Sequence, residues 1–231
     1  MVNIFSGIRC IDSGLGGGIS PESVTLIYGE PETGKSTVAM QCAVNCAAQG
    51  FKVLFVDCDN TFSAKRLSQL SGEKFDAVAD QVILVKPKNF KEQAALVDRI
   101  QDYTAKGFGL IVVDTFTGLY GAQVAELPKA FSVNRELNRQ LALLAQTAKI
   151  RKIPVVITSQ VRAVLDNPNI NVAPVATRVL TFWADHIIAL KPTEASQFVT
   201  AVIEKTGENT QPSTCHVQIG ESGLTDSELP R

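Results

Sequence analysis

Apolar residues in this chain arrive in short runs separated by stretches with helical spacing. Val24-Thr25-Leu26-Ile27-Tyr28 is the first run, and Lys52 to Asp57, with Val53-Leu54-Phe55-Val56 inside it, is the second. Val82 to Val85, Leu110-Ile111-Val112-Val113 ending in Asp114, and Val155 to Thr158 follow. Runs that are apolar on both faces fit strands of a parallel sheet covered by helices. The intervening stretches supply those helices. Ser36 to Gln49 brings Ala39, Cys42, Ala43 and Cys46 to one face, and Phe90 to Thr104 does the same with Phe90, Ala94, Val97 and Ile100. Ser63 to Leu70 predicts a short helix, and Asn134 to Lys149 a longer one with Leu137, Leu141, Leu144 and Ala148 inward. The alternation predicts an α/β fold with a mainly parallel sheet flanked by helices. Ala184 to Leu190, Phe198 to Lys205 and Cys215 to Ile219 read as three more strands. With no helix between them for a crossover, they are expected as antiparallel additions at the C-terminal end.

The remaining segments lack such periodicity. Residues 1 to 23 form a lead-in with a turn at Gly16-Gly17-Gly18, and residues 115 to 133 a connection with Gly118, Gly121 and Pro128. Arg162 to Thr177 predicts a long loop with Asn-Pro and Pro-Asn junctions. A loop of that length inside a compact domain is usually functional or disordered.

Composition narrows the picture only a little. A length of 231 residues suits one α/β core, so residues 1–231 read as a single domain. The net charge of −1 supplies no global field for nucleic acid or anionic membrane, so DNA binding would have to come from local basic loops. Five cysteines, with no C-x-x-C pair, read as buried free thiols in a reducing cytoplasm. No signal-peptide profile and no apolar run near the ~20 residues of a bilayer span are present, so a cytoplasmic protein without membrane contact is expected.

The chemistry concentrates in Gly29-Glu30-Pro31-Glu32-Thr33-Gly34-Lys35-Ser36-Thr37, which reads G-x-x-x-x-G-K-[ST] between a strand and a helix. Gly29 and Gly34 let the backbone turn successive N–H groups toward phosphate oxygens, and the positive end of the following helix adds to that field. Lys35 places a point charge on the β- and γ-phosphates, and the Ser36 hydroxyl is the expected Mg²⁺ ligand. Asp114, at the end of an apolar strand, has the shape of a Walker B aspartate holding the Mg²⁺ shell through water.

Together with Asp57-Cys58-Asp59-Asn60-Thr61-Phe62 and Ser159-Gln160-Val161, these motifs resemble the RecA/RadA/Rad51 recombinase superfamily, and within it the archaeal RadB group of short paralogues. Trp183-Ala184-Asp185 and Ile203-Glu204-Lys205 add to the likeness, which covers nearly the whole chain. The P-loop begins at residue 29, which leaves no room for the N-terminal helical domain and linker of full-length RadA-type recombinases, as in RadB-like proteins.

The resemblance implies a RecA-like ATPase core that uses ATP and Mg²⁺ and acts as a DNA-binding accessory factor in homologous recombination and repair. It implies partnership with a RadA-type recombinase or other repair proteins, and self-association. It also assigns roles. Gln160 matches a glutamine that couples the γ-phosphate to DNA, and Arg66 an arginine that packs on the adenine ring. Arg162 and Arg178 fall at the second DNA-binding loop, and residues near Tyr120 to Phe131, Lys129 among them, at the first; Arg135, on the helix that follows, is a further DNA-binding candidate. Asp59 stands where the family usually has the catalytic glutamate, so slow hydrolysis is expected. So few basic residues predict weak DNA binding, with single strands preferred. Two other readings compete: a KaiC-like signalling ATPase, whose second strand usually ends in paired glutamates, and a non-enzymatic adaptor with a structural nucleotide site.

Overall fold

Nine strands form one sheet in the order β11-β10-β9-β8-β1-β5-β4-β2-β3 in the structure, a computed structural model that describes residues 3–104, 106–126, 131–163 and 172–227. Along the chain, α1 (Arg9–Gly14) leads into β1 (Val24–Gly29), α2 (Lys35–Ala48), β2 (Lys52–Asp57), α3 (Ala64–Ser71), α4 (Phe75–Ala79) and β3 (Val82–Val85). Next come α5 (Phe90–Asp98), α6 (Ile100–Tyr103), β4 (Phe108–Asp114), α7 (Gly118–Glu126), α8 (Phe131–Arg151) and β5 (Val155–Ser159). A two-stranded ribbon of β6 (Val161–Ala163) and β7 (Val172–Pro174) precedes α9 (Thr177–Trp183). The last strands are β8 (His186–Pro192), β9 (Phe198–Thr206), β10 (Ser213–Gly220) and β11 (Gly223–Ser227).

The central strands are buried on both faces, which is why they read as unbroken apolar runs. Ile27, Phe55, Val112 and Val156 pack toward α1, α2 and α3, whereas Leu26, Leu54, Ile111 and Ile157 pack toward α5, α8 and α9. Strand alternation splits the core into these two layers, one on each side of the sheet.

Several expectations need correcting. β8 pairs parallel with β1, Thr25 facing His186 and Gly29 facing Leu190, and so extends the parallel part of the sheet. Its crossover is α9, a seven-residue helix hidden in a stretch without clear periodicity. β9, β10 and β11 are antiparallel as expected, and β11 is an additional strand. The 90–104 helix breaks at Arg99 into α5 and α6. The connection after β4 contains α7, and the lead-in contains α1.

The cysteine reading also changes. Cys10 of α1 and Cys215 of β10 form a disulfide across 205 positions, with Cα atoms 6.2 Å apart. Sequence spacing could not show this pair, because α1 meets β10 only through the fold. Cys42, Cys46 and Cys58 are free and buried, and burial pushes the Cys46 thiol up to about 12. Titration of the unfolded, unreduced chain is expected to count three thiols, and five after reduction. Reduction should lower stability by about 2–4 kcal/mol; a count of five before reduction would remove the bridge.

Candidate nucleotide site

The parallel strands β1, β5 and β4 end side by side, and the site lies along that edge. β1 ends at Gly29, whose backbone is so close to β8 that an added Cβ would lie 2.3 Å from the Leu190 carbonyl oxygen. The loop closes at Gly34, where φ is +88° and a Cβ would meet Leu224 of β11 at 2.9 Å. No side chain caps the α2 N-terminus. Its first-turn N–H groups therefore lack the intrahelical partners that interior groups have.

Lys35 is buried, and its Nζ donates to the Glu30 carbonyl oxygen at 2.7 Å. Thr33 Oγ1 donates to the same oxygen at 2.8 Å, so the loop is bonded to itself. Burial lowers the Lys35 pKa, and the carboxylates of Asp114, Asp59 and Glu30 oppose that shift. A cavity of about 230 Å³ is lined by Glu32, Gly34, Lys35, Ser36, Thr37 and Ile219.

Asp114 is buried at the end of β4 and accepts hydrogen bonds from the hydroxyls of Thr158 and Ser36. Burial pushes its carboxyl above the usual range, and the two hydroxyls pull it back. The donor set fits a nucleoside triphosphate with a divalent cation. Lys35 and the uncapped α2 N-terminus would hold phosphate, and Ser36 would hold the cation with Asp114 directly behind it.

Asp59 lies on the turn after β2. Its Oδ2 accepts from Thr115 Oγ1 at 2.5 Å and, at the outer limit of a hydrogen bond, from Gln160 Nε2 at 3.5 Å. Gly118 leaves room for this carboxylate, since a Cβ there would lie 1.9 Å from Asp59 Oδ1. Lys35, Ser36, Asp114, Asp59 and Gln160 thus gather at one edge from α2, β4 and two strand ends.

Sequence reasoning overlooked what holds Asp59 in place. Asp57 is fully buried and accepts from the backbone N–H of Thr61 at 3.0 Å and Phe62 at 3.1 Å. It also pairs with Lys86 at 2.9 Å. An aspartate ending a strand before a turn is a legible cap for that turn. Lys86, just beyond β3, carried no signal.

Arg66 lies on α3 and donates to the carbonyl oxygens of Glu221 at 2.6 Å and Gly220 at 3.0 Å. It ties α3 to the β10–β11 turn, next to Ile219 in the cavity wall. Gln41 of α2 makes a reciprocal pair with Leu224, Nε2 to O at 3.0 Å and N to Oε1 at 2.9 Å.

Arg162 on β6 and Arg178 on α9 both line a cavity of about 630 Å³, along with Tyr120, Phe131 and Asn134. Arg135 is exposed on α8. Lys129 lies outside the described residues. Among the described residues no helix is long and apolar enough to cross a membrane, and no cluster of His, Cys, Asp or Glu is arranged as a metal site of its own.

A sequence model of the Rad51 family matches residues 1–227. The chain belongs to the Rad51 family. Its RadB-type members are similar over most of the chain. The DNA repair and recombination protein RadB of Methanococcoides burtonii is 30% identical, over 96% of each chain. RadB of Thermococcus onnurineus is 32% identical, again over 96% of each. A crystal structure of the RadB recombinase superposes with a TM-score of 0.82 at 28% identity, covering 97% of this chain and 100% of that one. The fold is accordingly the RecA-like fold of RadB, with its parallel strands central and the antiparallel strands at the C-terminal end. Within this Rad51-family frame the edge carrying Lys35, Ser36 and Asp114 is the nucleotide-site candidate.

Proposed function

We propose that this protein is an ATP- and DNA-binding accessory factor of homologous recombination and DNA repair, with slow, DNA-stimulated ATP hydrolysis. The observation that carries this reading is the meeting of Asp59 with Thr115 and Gln160 beside Lys35 and Asp114. Lys35 and Ser36 would hold the triphosphate and its Mg²⁺, and the cation would supply charge neutralisation at the phosphates. Asp59 accepts a proton from the water whose oxygen bonds to the γ-phosphorus as the bond to the bridging oxygen breaks and ADP leaves. Gln160 leads directly into β6, which bears Arg162, so a change at the phosphate edge reaches the cavity with Arg162 and Arg178. Two cations and a net charge of −1 support weak binding of single-stranded DNA with a shallow salt dependence. A RadA-type recombinase is the partner that this role calls for. Phosphate release with and without single-stranded DNA tests the reading; a protein that binds no nucleotide would end it.

Asp59 also sets the rate. Its carboxylate is one methylene shorter than a glutamate's, and a base misplaced by about 1 Å costs on the order of 10²-fold. Asp59→Glu is expected to raise DNA-stimulated turnover by about 10-fold or more. If turnover does not rise, the short side chain is not what limits hydrolysis.

A further inference from the structure

Gln93 of α5 and Gln140 of α8 are fully buried among apolar side chains, including Phe90, Val97, Leu137 and Leu141. Burying two primary amides is costly unless their hydrogen bonds are made. Gln93 Nε2 donates to Gln140 Oε1 at 2.9 Å and to the Phe116 carbonyl oxygen at 3.3 Å. Two acceptors around this nitrogen fix the orientation of the amide. Gln93 Oε1 is buried without a partner among the described residues, so packing alone does not account for an amide at this position. Gln140 Nε2 goes on to Glu136 Oε1 at 3.2 Å.

Phe116 follows the residue that holds Asp59. The segment from Asp114 to Gly118 is pinned at each step. Asp114 is held by Thr158 and Ser36, and Thr115 by Asp59. The Phe116 N–H donates to the Thr158 carbonyl oxygen at 2.9 Å, and Thr117 shares a hydroxyl bond with Ser159 at 3.0 Å. The Phe116 carbonyl points the other way, into the helical layer, where Gln93 meets it.

We propose that Gln93 and Gln140 are positioning residues: they clamp the Phe116 carbonyl from the helical layer and so keep the Thr115 hydroxyl on Asp59. This rests on the proposed hydrolysis at Asp59. Gln140 orients Gln93, Gln93 holds the backbone, and the backbone presents Thr115. Neither glutamine touches substrate.

The test compares Gln93→Met, Gln140→Met and the double variant. Methionine keeps the volume and removes the amide. Each single change leaves a remaining amide short of a partner, so both singles should melt below the wild type. The double removes both amides, and such paired replacements are often nearly neutral for stability; only the Phe116 carbonyl is left without its Gln93 donor, so its melting temperature should recover in part. Its turnover should not recover. We expect kcat for ATP hydrolysis to stay down by about 10-fold, with the Kd for a fluorescent ATP analogue within about 2-fold of wild type. Hydrogen exchange over residues 114–118 should be faster in the double variant, with residues 29–37 unchanged. A double variant that exchanges over 114–118 like the wild type overturns the proposal, whatever its turnover. If the wild type binds nucleotide without hydrolysing it, the hydrolytic reading fails, and the exchange rates still decide the clamp.

Discussion

Lys35→Ala should weaken binding of a fluorescent ATP analogue by on the order of 10²-fold, the equivalent of about 2–3 kcal/mol for a lost charge-assisted bond. Lys35 is 8% exposed, and its ammonium sits between the Glu30 carbonyl and the carboxylates of Asp114, Asp59 and Glu30. Removing it deletes the phosphate's counter-charge and leaves those carboxylates facing the phosphate. Both changes disfavour the anion. The fold should tolerate the loss, because burial already makes this ammonium costly. Without nucleotide the melting temperature is expected to stay within about 3 °C of wild type, a shift worth about 1 kcal/mol at this chain length. Alanine at 35 with unchanged nucleotide affinity would mean that the triphosphate binds elsewhere.

Asp57→Ala is expected to cause the largest loss of stability, about 3 kcal/mol, or a fall in melting temperature of about 6–12 °C. The Asp57 carboxylate is fully buried and serves three donors: the N–H groups of Thr61 and Phe62 and the Lys86 ammonium. Alanine removes the acceptor that all three share and strands the two backbone N–H groups. The asymmetry between the partners sharpens the prediction. Lys86 is 40% exposed and can return to water, so Lys86→Met should cost about 1 kcal/mol or less. Equal losses from the two variants would show that the ion pair, not the backbone bonds, dominates. Asp59 is two residues along the same turn, so Asp57→Ala should also slow any hydrolysis that the folded fraction retains.

The parts legible in the sequence were those whose signal is local. The P-loop is contiguous, and its strand and helix flank it directly. The Asp114 strand declares itself by an apolar run buried on both faces. The direction of β8 was hidden because α9 spans only seven residues. β11 was hidden because Gly223-Leu224-Thr225-Asp226-Ser227 has one apolar residue and forms a strand only by pairing with β10. Asp57 needed Lys86, and Cys10 needed Cys215; each pair is joined by the fold alone. Gln93 and Gln140 carry no local signal, because glutamine on a helix usually faces solvent. Only the fold buries both of them.

The wall of the nucleotide cavity is made late. Leu224 stands against Gly34 and is bonded to Gln41, a partner 183 positions earlier. Asp226 accepts from the N–H groups of Arg9 and Cys10 at 3.0 and 2.7 Å, closing α1 onto the same hairpin. During synthesis, then, the phosphate-binding loop emerges from the ribosome long before the strands that enclose it. A nascent chain halted before residue 213 has its lysine and its helix N-terminus but neither Ile219 nor Leu224. The proposed nucleotide site is therefore complete only once β10 and β11 are in place, and the order of synthesis separates the loop that carries its charge from the strands that wall it.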